Sequence, residues 1–141
     1  MADNKSVLTV SIVTPDGEEY TNDKCSMAVI QTGSGDIGIM ANHIPIIAAL
    51  KIGPAQFNYG NDESDVLAVN GGFVEFSNNE LTIVADSAEL KSKIDIDRAT
   101  SAKERAQQKI KTASEANDTD TMNRAEVALQ RAVNRINVAK R

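Results

Sequence analysis

Four arginines near the end of the chain have the residue type and spacing to bind an anion: Arg98, Arg105, Arg131 and Arg135. Arg131 and Arg135 are four residues apart, so they share one face of a helix, and in a folded helical hairpin they run back toward Arg98 and Arg105. Guanidinium groups that face one another repel unless something anionic lies between them. A triphosphate would serve, but so would ordinary solvation, and the spacing leaves both interpretations open.

Two acids precede the first of these arginines, in the stretch Ile94-Asp95-Ile96-Asp97-Arg98. Asp95 or Asp97 can accept hydrogen bonds from the free N–H groups at the start of a helix. Arg98 then lies one turn into that helix. Capping therefore explains both acids without any ligand.

A glycine-rich stretch, Gly33-Ser34-Gly35-Asp36-Ile37-Gly38, has the spacing of the dinucleotide-binding fingerprint. That motif needs a helix directly after its last glycine, whereas residues 39–45 are short and contain Pro45. We therefore interpret these glycines as turn residues. The chain also lacks a GxxxxGK[ST] stretch, the usual equipment for hydrolysing ATP alone.

The chain has one histidine, His43, and one cysteine, Cys25. A single histidine excludes a multi-histidine metal centre, and we assign His43 a surface or packing role. A lone cysteine excludes an intramolecular disulfide and fits a reducing cytosol, so Cys25 is predicted to be an inert, partly buried thiol. We find no catalytic constellation and no metal site, so the chain is not expected to be an enzyme by itself.

The composition changes abruptly near residue 90. All 8 glycines, all 3 prolines and all 5 aromatic residues precede residue 77. Residues 1–90 contain 3 Lys and 13 Asp or Glu, a net charge of −10, while residues 91–141 contain 12 Lys or Arg and 7 acids, a net charge of +5. We therefore predict two domains, 1–90 and 91–141. The acidic first part would repel nucleic acid.

The first part has the pattern of an all-β sandwich or barrel. Short runs rich in β-branched residues are separated by turn signals such as Thr14-Pro15-Asp16-Gly17, Gly53-Pro54 and Ser77-Asn78-Asn79-Glu80. The predicted strands cover residues 7–13, 26–31, 37–40, 44–52, 55–59, 65–69, 72–76 and 81–85. No apolar run approaches the 18 residues of a membrane span, and no signal peptide is evident, so any membrane association is expected to go through another protein.

After Ile94 the apolar period becomes helical and predicts a two-helix hairpin. One stripe contains Ala99, Ala102, Ala106, Ile110 and Ala113, and a second contains Met122, Ala125, Leu129, Ala132, Val133 and Ile136. The stretch Asn117-Asp118-Thr119-Asp120 is predicted as the turn, which also supplies the second N-cap. Because the first stripe is mostly alanine, the helices are predicted to hold each other weakly.

Six segments, in order, resemble the epsilon subunit family of bacterial F-type ATP synthase. They are Thr14-Pro15-Asp16-Gly17, Gly35-Asp36-Ile37-Gly38-Ile39, His43-Ile44-Pro45, Gly71-Gly72-Phe73-Val74-Glu75, Leu81-Thr82-Ile83-Val84-Ala85-Asp86, and Ile94-Asp95 to Arg98-Ala99. The resemblance covers nearly the whole chain and combines a β domain with a helical hairpin.

The resemblance implies a non-catalytic central-stalk subunit on the cytoplasmic face of the bacterial cell membrane, peripheral to it. The β-sandwich would lie between the gamma subunit and the c-ring and couple proton flow to ATP synthesis. The hairpin would lie folded, or extend along gamma into the alpha/beta catalytic head and block ATP hydrolysis. Asp36 and His43 fall in the loops that face the c-ring and gamma; Asp36 stands where many members have Glu, and Asn42 where many have Gly.

Some members of that family bind regulatory ATP, with magnesium, through an Ile/Leu-Asp-x-x-Arg-Ala signature. It is present here as Ile94, Asp95, Arg98 and Ala99, and further nucleotide contacts of the family fall at Glu89, Arg105, Arg131 and Arg135. No cofactor is required by the resemblance. The alternative hypothesis is a free-standing β-sandwich binding module whose basic hairpin recruits an acidic partner or RNA.

Overall fold

The computed structural model describes residues 6–141, which divide into two compact units, one ending at Leu90 and the other comprising Lys91–Arg141. The first unit contains only β-strands and the second contains two long helices. This confirms the predicted fold class, an all-β sandwich followed by an α-helical hairpin.

The first unit is one hydrogen-bonded sheet that closes on itself. Its order is β1-β6-β5-β4-β2-β3, and β1 also pairs with β2, so β1 has neighbours on both sides. The β1–β6 pairing is parallel and the others are antiparallel. The strands are β1 (Leu8–Thr14), β2 (Gly17–Thr32), β3 (Gly35–Met40), β4 (Ile46–Tyr59), β5 (Glu63–Ser77), β6 (Glu80–Ala85) and β7 (Ala88–Leu90), which pairs with β5.

The core of this unit follows from the period-two alternation of its strands. On β1 the alternate residues Leu8, Val10 and Ile12 are fully buried, as the apolar pattern predicts. Phe57 and Phe76 are the largest buried side chains of the unit. Burial of these apolar side chains is the main force that holds the sandwich together.

The predicted turn at Gly53-Pro54 is wrong, because it lies inside a longer strand. Residues 44–52 and 55–59 were expected as two strands, yet β4 runs from Ile46 to Tyr59 through Gly53 and Pro54. Pro54 is tolerated because the β2–β4 ladder shifts register between Val29 and Thr32, opposite this segment. A Cβ at Gly53 would meet the end of the Gln31 side chain, which would have to move aside.

The predicted strands 65–69 and 72–76 likewise join as β5. Gly71 and Gly72 have φ values of 85° and 117° within this strand, a conformation that favours glycine. A Cβ on Gly72 would collide with the backbone of Val84. These two glycines therefore mark a close approach of β5 to β6, not the end of a strand.

The predicted hairpin turn at residues 77–80 is confirmed. Asn78 and Asn79 have φ values of 49° and 58°, the paired positive angles of a two-residue hairpin turn. Asparagine tolerates this left-handed region better than other non-glycine residues. The sequence chemistry of the turn thus sets the register between β5 and β6.

The second unit is a helical hairpin made of α1 (Ile96–Glu115) and α2 (Thr119–Ala139), preceded by a 3₁₀ turn at Lys91–Lys93. Ala116, Asn117 and Asp118 connect the helices, and Asp118 caps α2 by accepting a hydrogen bond from the backbone N–H of Thr121 at 3.1 Å. The predicted N-cap is confirmed, whereas the turn lies at residues 116–118, so Thr119 and Asp120 of the predicted turn already belong to α2. None of the helices described in residues 6–141 is long and apolar enough to cross a membrane.

Alanines spaced seven apart form the seam between the two helices. Ala99, Ala106 and Ala113 are the buried residues of α1, and Ala125 and Ala132 are buried on α2. The larger members of the predicted stripes, such as Ile110 and Leu129, are only partly buried. The expectation of an alanine-rich seam is therefore confirmed.

Candidate functional site

The start of α1 is built by Asp95. Its side chain accepts a hydrogen bond from the backbone N–H of Arg98 at 3.1 Å, and its carbonyl accepts one from Ala99 at 3.0 Å. Asp97 lies in the first turn, and the N–H of Ile94 bonds to the carbonyl of Lys91 at 3.3 Å. Of the two candidate caps, Asp95 performs this role, so its presence is explained without a ligand.

The hairpin brings the four arginines to one flank. Arg98, Arg105 and Arg131 each directly precede a buried seam alanine, so on two antiparallel helices their side chains leave the seam on the same side. Arg135 follows Arg131 by one turn and shares its face. We call Arg98, Arg105, Arg131 and Arg135 the basic flank.

The members of the basic flank are spread along the hairpin axis. Because only three residues connect the antiparallel helices, Arg131 is close to the level of Arg105, and Arg135 is close to the level of Arg98. Arg98 and Arg105 are seven residues apart on α1, which corresponds to about 10 Å of helix. The arrangement therefore suits an extended polyanion better than a single phosphate.

Exposure differs within this flank. Arg98 and Arg105 are exposed, whereas Arg131 and Arg135 are half-buried and already make interactions with other groups. Four guanidinium groups can donate charge-assisted hydrogen bonds to the phosphate oxygens of a triphosphate. Glu89, the remaining residue expected at a nucleotide, lies in β7 of the first unit, where it is half-buried and paired with Ala68 of β5.

The two residues expected at partner surfaces lie at opposite ends of β3. Asp36 is the second residue of that strand, is exposed, and pairs with Gln31 of β2. His43 follows the strand and is half-buried, with its ring edge-to-face on Phe76 at 5.9 Å between centroids. Its Nδ1 lies 2.7 Å from the carbonyl oxygen of Ile44. Of the surface or packing role expected for His43, the structure shows packing of its ring against Phe76.

The loop before His43 explains one departure from the family pattern. Asn42 has a φ of 64°, so it adopts a conformation that glycine would adopt freely and asparagine tolerates. Its backbone N–H donates to Oδ1 of Asn79 at 2.6 Å, and Nδ2 of Asn79 donates to Oδ1 of Asn42 at 3.2 Å. Asparagine thus serves in place of glycine and also ties this loop to the β5–β6 turn.

An exposed apolar surface next to this loop was missed by the sequence interpretation. Met40, Ile44 and Ile47 are 58%, 74% and 75% exposed, and Phe73 is 46% exposed. Ile47 and Phe73 lie on the outward sides of neighbouring strands, whereas Ile46 and Val74 point inward. Strict alternation along β4 was the signal that could have identified Ile47, but the apolar run at residues 44–50 obscured it. We call Met40, Ile44, Ile47 and Phe73 the apolar patch.

Cys25 has no part in these surfaces. It is fully buried in the sandwich core, deeper than the partial burial expected. Burial raises the pKa of its thiol to about 11. Because the thiolate is the reactive form, the predicted inertness follows from the structure.

Comparisons with known proteins agree with both units. Two family models match: "ATP synthase, Delta/Epsilon chain, beta-sandwich domain" over residues 7–91, and "ATP synthase, Delta/Epsilon chain, long alpha-helix domain" over residues 92–140. An ATP synthase epsilon chain of Levilactobacillus brevis is 59% identical over 140 residues, covering 99% of each chain. One of Pediococcus pentosaceus is 55% identical, with the same coverage.

The same fold occurs in a solved structure. A chain in the cryo-EM structure of the Euglena gracilis mitochondrial ATP synthase, OSCP/F1/c-ring in rotational state 1, aligns with a TM-score of 0.79 over 96% of this chain and 82% of its own length. Its sequence identity is 20%, so this likeness concerns the fold.

The chain therefore belongs to the ATP synthase delta/epsilon family. Together with the high identity to bacterial epsilon chains over nearly the full length, this makes it an epsilon subunit of the F-type ATP synthase.

Proposed function

We propose that this epsilon subunit couples and regulates the rotary enzyme from the central stalk, without catalysing a reaction itself. Its β-sandwich binds the gamma subunit and the c-ring, and its hairpin restrains ATP hydrolysis when it extends toward the alpha/beta catalytic head. The complex holds it, as a peripheral subunit, at the cytoplasmic face of the cell membrane. The observation that carries this proposal is the pairing of a well-packed sandwich with a thinly packed basic hairpin.

The sandwich has a surface suited to stable docking. The apolar patch exposes four large apolar side chains. The first 90 residues, to which these side chains belong, carry a net charge of −10, so the patch contrasts with the acidic character of this part of the chain. Contiguous exposed apolar side chains are typical of protein–protein interfaces. His43 lies in the loop between Met40 and Ile44 of this patch, which supports its assignment to a partner contact, and Asp36 is exposed near the other end of β3.

The hairpin has the properties of a movable regulator. Its seam consists largely of alanines, and each methylene absent from a buried side chain forgoes about 0.8 kcal/mol of stabilisation. Separation of the helices therefore costs little in lost burial. The net charge of +5 on residues 91–141 favours acidic surfaces on the catalytic head once the helices extend.

The experiment compares enzymes assembled with the full chain or with a chain that ends at Leu90. We expect the truncated chain to assemble and keep proton coupling, and the ATP hydrolysis rate to rise severalfold because the restraining helices are absent. Subunit content by gel and proton pumping by dye quenching serve as controls. Unchanged hydrolysis in a fully assembled truncated enzyme would mean that the hairpin does not restrain it.

The basic flank supports regulatory ATP as a ligand of the folded hairpin. Bound ATP would supply a chain of phosphates whose charge offsets the repulsion among the four guanidinium groups. Because members of the flank lie on both helices, the ligand would favour the folded hairpin over the extended one. Magnesium would accompany the phosphates.

Two variants of the isolated full chain test this ligand. The double replacement Arg131→Ala with Arg135→Ala should abolish ATP binding, because it removes the α2 half of the flank, whereas Lys140→Ala should leave binding nearly unchanged. Isothermal calorimetry measures the affinity, and circular dichroism verifies that both helices persist. Tight ATP binding by the double variant would place the site elsewhere.

A further inference from the structure

Strand β3 has one edge that no strand in residues 6–141 covers. It stands last in the sheet order and pairs only with β2 among the described strands. Six consecutive residue pairs join β2 and β3 without a register shift, so β3 is regular along its whole length. Asp36, Gly38 and Met40 are exposed, so the edge is open to solvent.

The register identifies the backbone groups at this edge. Gly33 and Ser34 form a two-residue turn, and the pair that flanks such a turn, Thr32 and Gly35, is a hydrogen-bonded pair. Antiparallel pairs alternate between hydrogen-bonded and non-hydrogen-bonded. The N–H and C=O groups of Asp36, Gly38 and Met40 therefore point away from β2, and those of Ile37 and Ile39 point toward it. The carbonyl of Met40 already accepts a hydrogen bond from the backbone N–H of His43 at 3.2 Å, so an added strand would pair with the N–H of Met40 and with both groups of Asp36 and Gly38.

The edge lacks most of the devices that prevent strand pairing. Natural edge strands are commonly blocked by proline, lysine, a bulge or a covering element. The sequence of β3, GDIGIM, has no proline or lysine, and its only charge is Asp36 near one end. Gly38 leaves the middle of the edge without a side chain.

We propose that this edge accepts an extended segment of the gamma subunit as an added strand. The inference rests on the proposed function, because it specifies how a partner of the sandwich is held. Asp36 and His43, the residues assigned to partner contacts, bracket β3, and Met40 of the apolar patch lies at its end. Backbone hydrogen bonds supply affinity in this mode of recognition, and the flanking side chains supply selectivity.

Charge and location favour a water-soluble partner over two other possible occupants of this edge, which are a second copy of the chain and the membrane-embedded c-ring. A second copy of this chain would bring two sandwiches of net charge −10 together, and such self-association is opposed by repulsion. The c-ring must make its backbone hydrogen bonds internally within the bilayer, so it offers only connecting loops to a partner outside the membrane. The segment that fits carries a cationic side chain near Asp36 and an apolar one near Met40.

A proline substitution with a matched control tests strand addition. Gly38→Pro removes an N–H that points outward, but it removes no hydrogen bond to β2. Gly38→Ala is the control, because it keeps this N–H. A Cβ at position 38 would lie 3.7 Å from the sulfur of Met27, which is an ordinary contact. We expect purified gamma subunit to bind Gly38→Pro at least tenfold more weakly than Gly38→Ala. Circular dichroism of both variants, each in the full-length chain, checks the fold.

Hydrogen exchange of the unaltered full chain gives an answer that does not depend on how the variants fold. Without gamma, the amides of Ile37 and Ile39 should be protected, and those of Asp36, Gly38 and Met40 should exchange quickly. Addition of gamma should slow exchange at these three amides at least tenfold.

Each remaining outcome overturns the proposal in a recognisable way. Equal binding of the two Gly38 variants, with no slowing of exchange at Asp36, Gly38 and Met40, contradicts strand addition but leaves the partnership with gamma intact. Failure of the unaltered chain to bind gamma contradicts the proposed function itself. Self-association in sedimentation that Gly38→Pro abolishes would identify a second copy as the occupant.

Discussion

At the scale of single residues, the sandwich keeps its ionisable hydroxyl and thiol groups protonated. The Tyr20 hydroxyl donates to Oδ2 of Asp65 at 2.7 Å, and the Tyr59 hydroxyl donates to the other oxygen of that carboxylate at 3.2 Å. Burial is the main cause of the raised pKa of Tyr20, and the ring stacks on Phe57 with centroids 5.2 Å apart. These groups hold the β4–β5 hairpin to β2, so we assign them a structural role.

Cys25 makes stability depend on pH in the alkaline range. Its pKa is raised from 9.0 to about 11 by burial, so the folded chain holds the thiol proton more tightly than the unfolded chain does. This contribution is fully present below about pH 9 and is lost as pH rises through 11. Between these limits, the free energy of unfolding should fall about 2 kcal/mol less in Cys25→Ala than in the unaltered chain.

Urea unfolding at a series of pH values measures this difference. Ser26→Ala changes an exposed neighbour and should retain the steep alkaline loss. Parallel pH profiles for the unaltered chain and Cys25→Ala would show that the thiol does not titrate as described. The same thiol should react with a disulfide reagent only after unfolding.

At the scale of elements, the spacing of the seam alanines sets how closely the two helices approach. Small side chains allow interaxial distances at the short end of the usual 8–10 Å range. Shape fit then matters more than the amount of buried apolar area. A single enlarged side chain in this seam should therefore disturb the hairpin more than its hydrophobicity would suggest.

The substitution Ala106→Leu tests the seam. Ala106 is only 4% exposed, so the added methylenes must push the helices apart, and we expect the hairpin to lose about 1–3 kcal/mol. Gln107→Leu adds an apolar side chain at the adjacent exposed position and should have little effect. Hydrogen exchange of α2 amides reports hairpin opening. Equal protection in the two variants would contradict close packing at Ala106.

The elements were predicted unevenly from sequence, for physical reasons. Caps and hairpin turns depend on local chemistry, so Asp118, Asn78 and Asn79 were identified correctly. Gly53-Pro54 and Gly71-Gly72 carry the same local signals as turns but lie inside strands, because the neighbours that accommodate them are distant in sequence. The basic flank was suggested by residue spacing. The apolar patch was not, because exposure is a property of the folded sheet.

At the scale of the whole molecule, two units of opposite charge have very different cores. The main hydrophobic cluster lies entirely within residues 8–85, with Ala88 and Leu90 packed against it. The hairpin buries mainly alanines of its own. Stability of the chain therefore resides chiefly in the sandwich.

A chain that ends at Leu90 should fold by itself. It retains every strand and the complete hydrophobic cluster, so we expect a cooperative thermal transition and the far-ultraviolet circular dichroism of a β protein. Residues 91–141 alone should be less helical than in the full chain, since most helical stability in proteins comes from packing and the alanine seam buries little apolar surface. A disordered 1–90 fragment would show that the sandwich depends on the hairpin.

The ring of strands in the sandwich can close only late in the synthesis of the domain. Thr9 pairs with Glu80 and Val13 with Val84, so β1 gains its parallel neighbour only after almost the whole domain has been made. Contacts this distant in sequence form slowly, whereas the antiparallel helices touch through a three-residue connection. During translation the sandwich must therefore wait for β6 before its ring of strands can close, whereas each helix of the hairpin needs only its neighbour across the short connection.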